Sequence, residues 1–232
     1  LVVLGFGSSY DSVNHPGEEY LMTLKKGVSG WRVALASDAF FAEADAEVLA
    51  AVQDAASVFA GLSAHVEEVP FPGAREAAQA NGLMVTSDAA AFHRERLQNR
   101  PQDFGPDVLQ RLQTGAAYTS TEYILARHTQ TILRHQFERF FAEYDILLTP
   151  TTPIAAPLRA GEDAVERARQ LTRFTAPFNL TGLPALSLPC GFVNGLPVGL
   201  QIIARPWAEA QVLRAAYAYE QATEWHQRTP EL

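Results

Sequence analysis

The sequence predicts an α/β fold on a mixed sheet, and three observations predict it. Two strand-like runs, Trp31 to Ala36 and His65 to Val69, flank an amphipathic stretch from Asp38 to Gly61. A strand–helix–strand unit of that length makes a parallel pair joined by a crossover. Further on, Ala185 to Leu188 and Val198 to Ile203 lie either side of Asn194-Gly195. That dipeptide is a strong turn signal, so these runs pair antiparallel as a hairpin. Long helical stretches separate the two units, so helices are available to cover the sheet.

In chain order, Asp11 to Tyr20 reads as loop, with Asn14, Pro16 and Gly17. Glu18 to Lys26 reads as a short helix stopped by Gly27. In the stretch from Asp38 to Gly61, Val48, Leu49, Val52, Ala55, Ala56 and Phe59 recur at helical spacing. Ala74 to Gln98 reads as a long helix, followed by a break from Asn99 to Pro106. A short helix from Asp107 to Thr114 ends at Gly115. Thr119-Ser120-Thr121-Glu122 is a capping box that opens a long helix to Glu143. Its expected apolar positions are Ile124, Leu125, His128, Ile132, Phe137 and Phe140. Ile146 to Thr149 reads as a buried strand, Thr151 to Gly161 as an extended loop, and Glu162 to Arg173 as helix. Pro184, Pro189, Gly191, Gly195, Pro197 and Gly199 punctuate the hairpin and are expected to keep its strands short. A last helix runs from Ala208 to Trp225.

At 232 residues and 47% hydrophobic, the chain can bury a substantial core. Eighteen basic against 26 acidic residues give a net charge of −8, which disfavours nucleic acid and anionic membranes as partners. No apolar run reaches the roughly 20 residues of a membrane span. No stretch reads as a secretory signal. Cys190 is the single cysteine, so an intrachain disulfide is impossible and a reducing, cytoplasmic setting is expected. The chain begins at Leu1, and LVVLGFG reads like the end of an element, with Gly5 or Gly7 suited to closing a helix. The expectation is therefore a fragment.

The stretch from Phe174 to Trp207 carries a family resemblance. The pattern F-N-x-x-G-x-P-A-x-x-x-P-x-G, then G-L-P-x-G-x-Q-x-I, places Asn179, Gly182, Pro184, Pro189, Gly191, Gly195, Pro197, Gly199 and Gln201 in order. It resembles the C-terminal signature of the amidase-signature hydrolases. Tyr144 to Pro153 is similar to that family's Y-D-x-L-L-x-P-T-x-P, and Ala210 to Trp225 to its closing helix. The resemblance implies a three-layer α/β/α fold with a mixed sheet, residues 1–232 being the C-terminal part of a single amidase-signature domain. It also implies hydrolysis of a C–N amide bond of a small substrate through a serine acyl-enzyme. The alternatives are the A-type subunit of a tRNA-dependent amidotransferase and a non-catalytic α/β domain. Where those A-type subunits carry an acidic residue for glutamine, this chain has Thr172, which favours a stand-alone amidase.

The family's catalytic set, a serine nucleophile, a bridging serine and a lysine, lies N-terminal to everything here, so no catalytic residue is assigned. A serine is a weak nucleophile until a neighbouring base takes its proton, and a desolvated lysine can serve as that base. Gly7-Ser8-Ser9 mimics part of the nucleophile motif, but a solvated loop is the simpler reading. Lys25 and Lys26, the only lysines, stand at a helix end where solvated cations are common. Six histidines invite a metal or triad, and His128 and His135 share a helix face, but no third ligand is evident. Cys190 reads as a small buried hydrophobe. No metal and no cofactor are called for.

Binding residues are easier to nominate. Thr149 to Pro153 leaves a buried strand, and strand ends open into ligand crevices in α/β sheets. In the family this loop and the F-N-x-x-G turn face the acyl side of the substrate. Thr151, Thr152, Phe178 and Asn179 are therefore the expected substrate-binding residues; satisfying loop backbone and capping a turn are the competing roles. Asp145 and Arg173 are expected to be structural. Gln201, polar in an apolar strand, is expected to pair with loop backbone near Asn179 or Thr151, while Gly199 lets another element approach. The expected partners are a small amide substrate, the missing N-terminal portion and a second copy of the chain.

Overall fold

The computed structural model describes residues 20–158 and 164–228. Gly5, Gly7, Ser8, Ser9, His15 and the start of the helix expected at Glu162 lie outside them. Five strands form one mixed sheet: β1 (Arg32–Ala36), β2 (His65–Val69), β3 (Ile146–Pro150), β4 (Ala185–Val193) and β5 (Leu196–Ile203), in the order β2-β1-β3-β5-β4. β1 pairs parallel with both β2 and β3, whereas β5 runs antiparallel to β3 and to β4. The crossover and the hairpin predicted from sequence are both present.

The alternation of side chains along each strand sends two sets of apolar residues to opposite faces. Val33, Leu35, Ile146, Leu148, Leu200 and Ile202 face one core, against α2 (Ala46–Gly61) and α9 (Glu209–Ala222). Ala34, Leu147 and Ile203 face the other, against α3 (Ala74–Phe92), α6 (Ser120–Phe140) and α8 (Ala176–Thr181). The result is three layers, α/β/α. The remaining helices are α1 (Tyr20–Leu24), α4 (Arg94–Asn99), α5 (Pro106–Ala117) and α7 (Ala164–Thr172).

Several local expectations hold. Asn194 and Gly195 both take positive φ, 51° and 79°, as the tight turn between β4 and β5 requires. The Thr119 hydroxyl accepts from the Glu122 amide, and the Glu122 carboxylate accepts from the Thr119 amide, completing the capping box. Four differ. The helix expected from Asp38 starts at Ala46, because the Asp38 carboxylate holds the amides of Phe40 and Phe71 and commits Phe40 and Phe41 to the core in a 3-10 turn. The helix expected to reach Gln98 breaks at His93. The helix expected to stop at Gly115 continues to Ala117. The hairpin strands are longer than the punctuation suggested, since a register shift between Pro189 and Gly191 absorbs the breakers.

α6 buries Phe137 and half-buries Phe140 as expected, but the other four expected positions face outward. Ala126, Gln130, Leu133 and Phe137 point inward, while Ile124, Leu125, His128 and Ile132 are exposed. Two polar groups of α6 reach α8: the buried Gln130 donates from Nε2 to Leu180 O at 2.6 Å, and the exposed Arg134 from Nε to Thr181 O at 3.1 Å. These are carbonyls at the C-terminal end of α8, which has no further turn to satisfy them.

α3 and α5 meet at unusually short range. A Cβ built on Gly115 would lie 2.0 Å from Thr86 O, a backbone atom that cannot turn away. Gly115→Ala is expected to cost about 1–3 kcal/mol in urea unfolding, the usual penalty for overpacking. An alanine variant as stable as the parent would contradict this helix contact.

Candidate functional site

The C-terminal end of β3 is where the chain leaves the sheet. Thr149, fully buried, is followed by Pro150 and the loop 151–158. Three bonds fix that loop. The Thr151 amide donates to Gly199 O at 2.9 Å on β5, the Thr152 hydroxyl to Ile154 O at 2.8 Å, and the Asp45 amide at the start of α2 to Pro153 O at 2.8 Å. Thr151 and Thr152 are both half-buried. Thr152 spends its hydroxyl on its own loop. Thr151 places its hydroxyl 2.7 Å from that of Ser187 on β4.

Gly199 makes this approach possible. A Cβ there would stand 2.8 Å from both the Ser187 and the Thr151 hydroxyl oxygens. The element that Gly199 admits is thus the loop after β3.

Gln201 lies 3% exposed and faces the core of α3, α6 and α8, opposite in orientation to Leu200 and Ile202. Its side-chain amide donates to the Thr149 hydroxyl at 3.0 Å and to Phe174 O at 3.2 Å. The expected partners were loop backbone near Asn179 or Thr151; the actual ones are neighbours of each. The reason is register. Thr149 stands directly across from Gln201 on β3, and Ser187 directly across on β4, so the three side chains form one row.

The four nominated residues fall into two groups. Thr151 and Thr152 sit on the loop. Phe178 and Asn179 sit inside α8, with the Asn179 amide donating to Thr175 O within the helix rather than capping a turn. Phe178 is 2% exposed and packs in an aromatic cluster with Phe41 and Phe71, whereas Asn179 is exposed. Gln201 links the groups, tying the strand before the loop to the chain segment before α8. Ser187 was not nominated from sequence; its signal was a polar residue within the apolar run Ala185 to Leu188.

The other candidates have structural surroundings. Lys25, Lys26, His128 and His135 are exposed, and His135 Nδ1 is 3.2 Å from the Glu138 carboxylate. Cys190 is buried against Val198, and burial pushes its thiol up to about 12. Asp145 accepts the Arg32 amide at 2.8 Å beside the β1–β3 junction. Arg173 pairs with Glu43 and lies over the Phe40 and Phe174 rings. Arg75 pairs with Glu43 as well, and the two guanidiniums hold the Glu43 carboxyl below its ordinary value. Among the described residues no three His, Cys, Asp or Glu side chains gather as a metal site, and no helix is long and apolar enough to cross a membrane.

Comparison with known proteins places this arrangement. The chain is 38% identical over 246 residues to the A subunit of the glutamyl-tRNA(Gln) amidotransferase of Moorella thermoacetica, covering 95% of this chain and 50% of that protein. It is 36% identical over 230 residues to an amidase of Pseudomonas putida, covering 95% and 49%. The chain thus spans about half the length of the curated relatives it matches. Among solved structures, the A subunit of the glutamyl-tRNA(Gln) amidotransferase of Thermotoga maritima superposes with a TM-score of 0.72 at 28% identity, over 85% of this chain and 44% of that one. The 6-aminohexanoate cyclic dimer hydrolase shares the fold, with a TM-score of 0.80 at 24% identity over 97% and 52%. A family model described as Amidase matches residues 7–213, a span that contains the loop after β3, α8 and the whole β4–β5 hairpin. By that match, and by the motif positions that the hairpin holds in register, the chain belongs to the amidase-signature family.

Proposed function

We propose that this chain is the C-terminal part of a single-domain amidase that hydrolyses the C–N bond of a small amide. A serine would attack the amide carbonyl, the amine would leave with a proton, and water would then release the acid from the acyl-enzyme. The Ser–Ser–Lys set for those steps would come from polypeptide outside the described residues. The observation that carries this reading is the link at the end of β3, where Gln201 on β5 ties Thr149, just before the loop, to Phe174, just before α8. Thr151, Thr152 and Asn179 would face the acyl side of the substrate, with Phe178 as the buried support beneath Asn179.

The partner portion has a natural place to join. β2, one edge of the sheet, displays the carboxylates of Glu67 and Glu68, charges that discourage a further strand. β4, the other edge, has no charged residue from Ala185 to Val193. One face of β4 packs on α2 and α9, while Ala185 and Ser187 on the other face are exposed. An uncharged edge offers its unpaired backbone groups to a further strand, and the face that carries Ser187 is left to substrate. The isolated chain is expected to bind a hydrophobic dye strongly and to associate as concentration rises, as seen by fluorescence and light scattering. A monomeric, dye-silent chain would count against the missing-portion reading. A homodimer through the same edge would appear as association that saturates at two copies.

A second reading, the A-type subunit of a tRNA-dependent amidotransferase, is favoured by relatives that carry that name. Thr172 speaks against it: its side chain is exposed and neutral, with the hydroxyl donating to Ala168 O at 2.9 Å. The test is substrate preference of the complete polypeptide. Hydrolysis of simple primary amides without glutamine preference supports the stand-alone amidase; a strict requirement for glutamine supports the second reading.

A further inference from the structure

We infer that the Thr151 and Ser187 hydroxyls form a two-point hydrogen-bonding site for the amide group of the substrate. The inference rests on the amidase reading and goes beyond it by naming the groups that recognise the bond to be cleaved. The two oxygens lie 2.7 Å apart, so one hydroxyl donates to the other. Either can be the donor. Whichever way the bond runs, the accepting hydroxyl keeps its own O–H free, and the donating oxygen keeps its lone pairs free. The pair therefore presents one donor and one acceptor side by side.

A carboxamide has the matching set: its carbonyl accepts and its N–H donates. An ester lacks the N–H. A carboxylate, the product of hydrolysis, offers two acceptors and no donor, so one of its oxygens would face an oxygen lone pair. The pair thus favours the substrate over its own product. It is also held in place. Thr151 is fixed by the hydrogen bond from its amide to Gly199 O, and the two hydroxyls occupy the space that a side chain at Gly199 would fill. The nearby Gln201 amide does not compete, because Thr149 and Phe174 occupy it. Ser187 lies exposed on β4, beside the loop after β3.

The test uses the complete polypeptide with Ser187→Ala, Thr151→Val and Thr151→Ser. Turnover and equilibrium binding are measured with acetamide, benzamide and methyl benzoate. Loss of one hydrogen bond is expected to raise KM and Kd for the amides about fivefold in Ser187→Ala and Thr151→Val. In both variants kcat should change less than about twofold, and the ester, which has the carbonyl acceptor but no N–H, should lose affinity in one of the two variants at most. Thr151→Ser, which keeps the hydroxyl, should behave as the parent. A purely structural role would move amide and ester together in both variants, and that result overturns the inference. Amide turnover that is unchanged in both hydroxyl-deleting variants also overturns it, while leaving the amidase reading intact. Absent turnover with amide binding that weakens in Ser187→Ala would sink the amidase reading and keep the site. Neither turnover nor amide binding would sink both.

Discussion

Gln201→Leu is expected to destabilise the chain by about 1–3 kcal/mol, the cost of leaving buried polar groups unpaired. Leucine roughly keeps the volume, so cavity formation is not the cause. What is lost is the link from β5 to the Thr149 hydroxyl and to Phe174 O. Thr149 can still donate to Pro150 O at 3.1 Å, so the stranded group is chiefly the Phe174 carbonyl. Urea unfolding reads the loss. A cycle with Thr149→Val should return a coupling of about 0.5–1.5 kcal/mol, because the two side chains share one bond. In the complete polypeptide the same change should weaken substrate binding at denaturant levels where the protein is still folded, since both groups of nominated residues hang from this link. An unchanged Kd there would detach Gln201 from the site.

The isolated chain is expected to show no amide turnover at all, the largest effect expected of any experiment here. Its two lysines, Lys25 and Lys26, are exposed just after α1. Its buried thiol sits near 12 and is almost wholly protonated at neutral pH. Among the described residues, the hydroxyls of Thr149, Thr151, Thr152 and Ser187 donate to backbone or to one another rather than to a basic side chain. The assay is release of p-nitroaniline from p-nitroacetanilide. Turnover that disappears in Ser8→Ala or Ser9→Ala would place the nucleophile within this chain.

Much of the fold was legible because its signals are local. Asn194-Gly195 fixes a turn by backbone conformation, and Thr119 with Glu122 fixes a helix start by two hydrogen bonds; neither needs the rest of the chain. The opposite faces of Leu200 and Gln201 follow from strand alternation alone. The inward face of α6 was not legible. Ile124, Leu125 and Ile132 are the more hydrophobic choice, but the tertiary need to satisfy Leu180 O turned Gln130 inward, while the exposed Arg134 reaches across to Thr181 O. The site divides the same way. Thr151 could be nominated from its place after a buried strand. Ser187 could not, because its meeting with Thr151 depends on strand register, which brings β4 beside β5 and sets its hydroxyl over Gly199.

The central claim is that this chain builds the substrate side of an amidase and takes its catalytic groups from polypeptide that joins at β4. The most direct measurement is amide turnover on mixing this chain with the separately produced remainder of the polypeptide. Neither part is expected to hydrolyse p-nitroacetanilide or benzamide alone, and activity is expected to appear on mixing and to saturate at one to one. Turnover by this chain alone, or a stable one-to-one complex that remains without activity on any small amide, would contradict the claim.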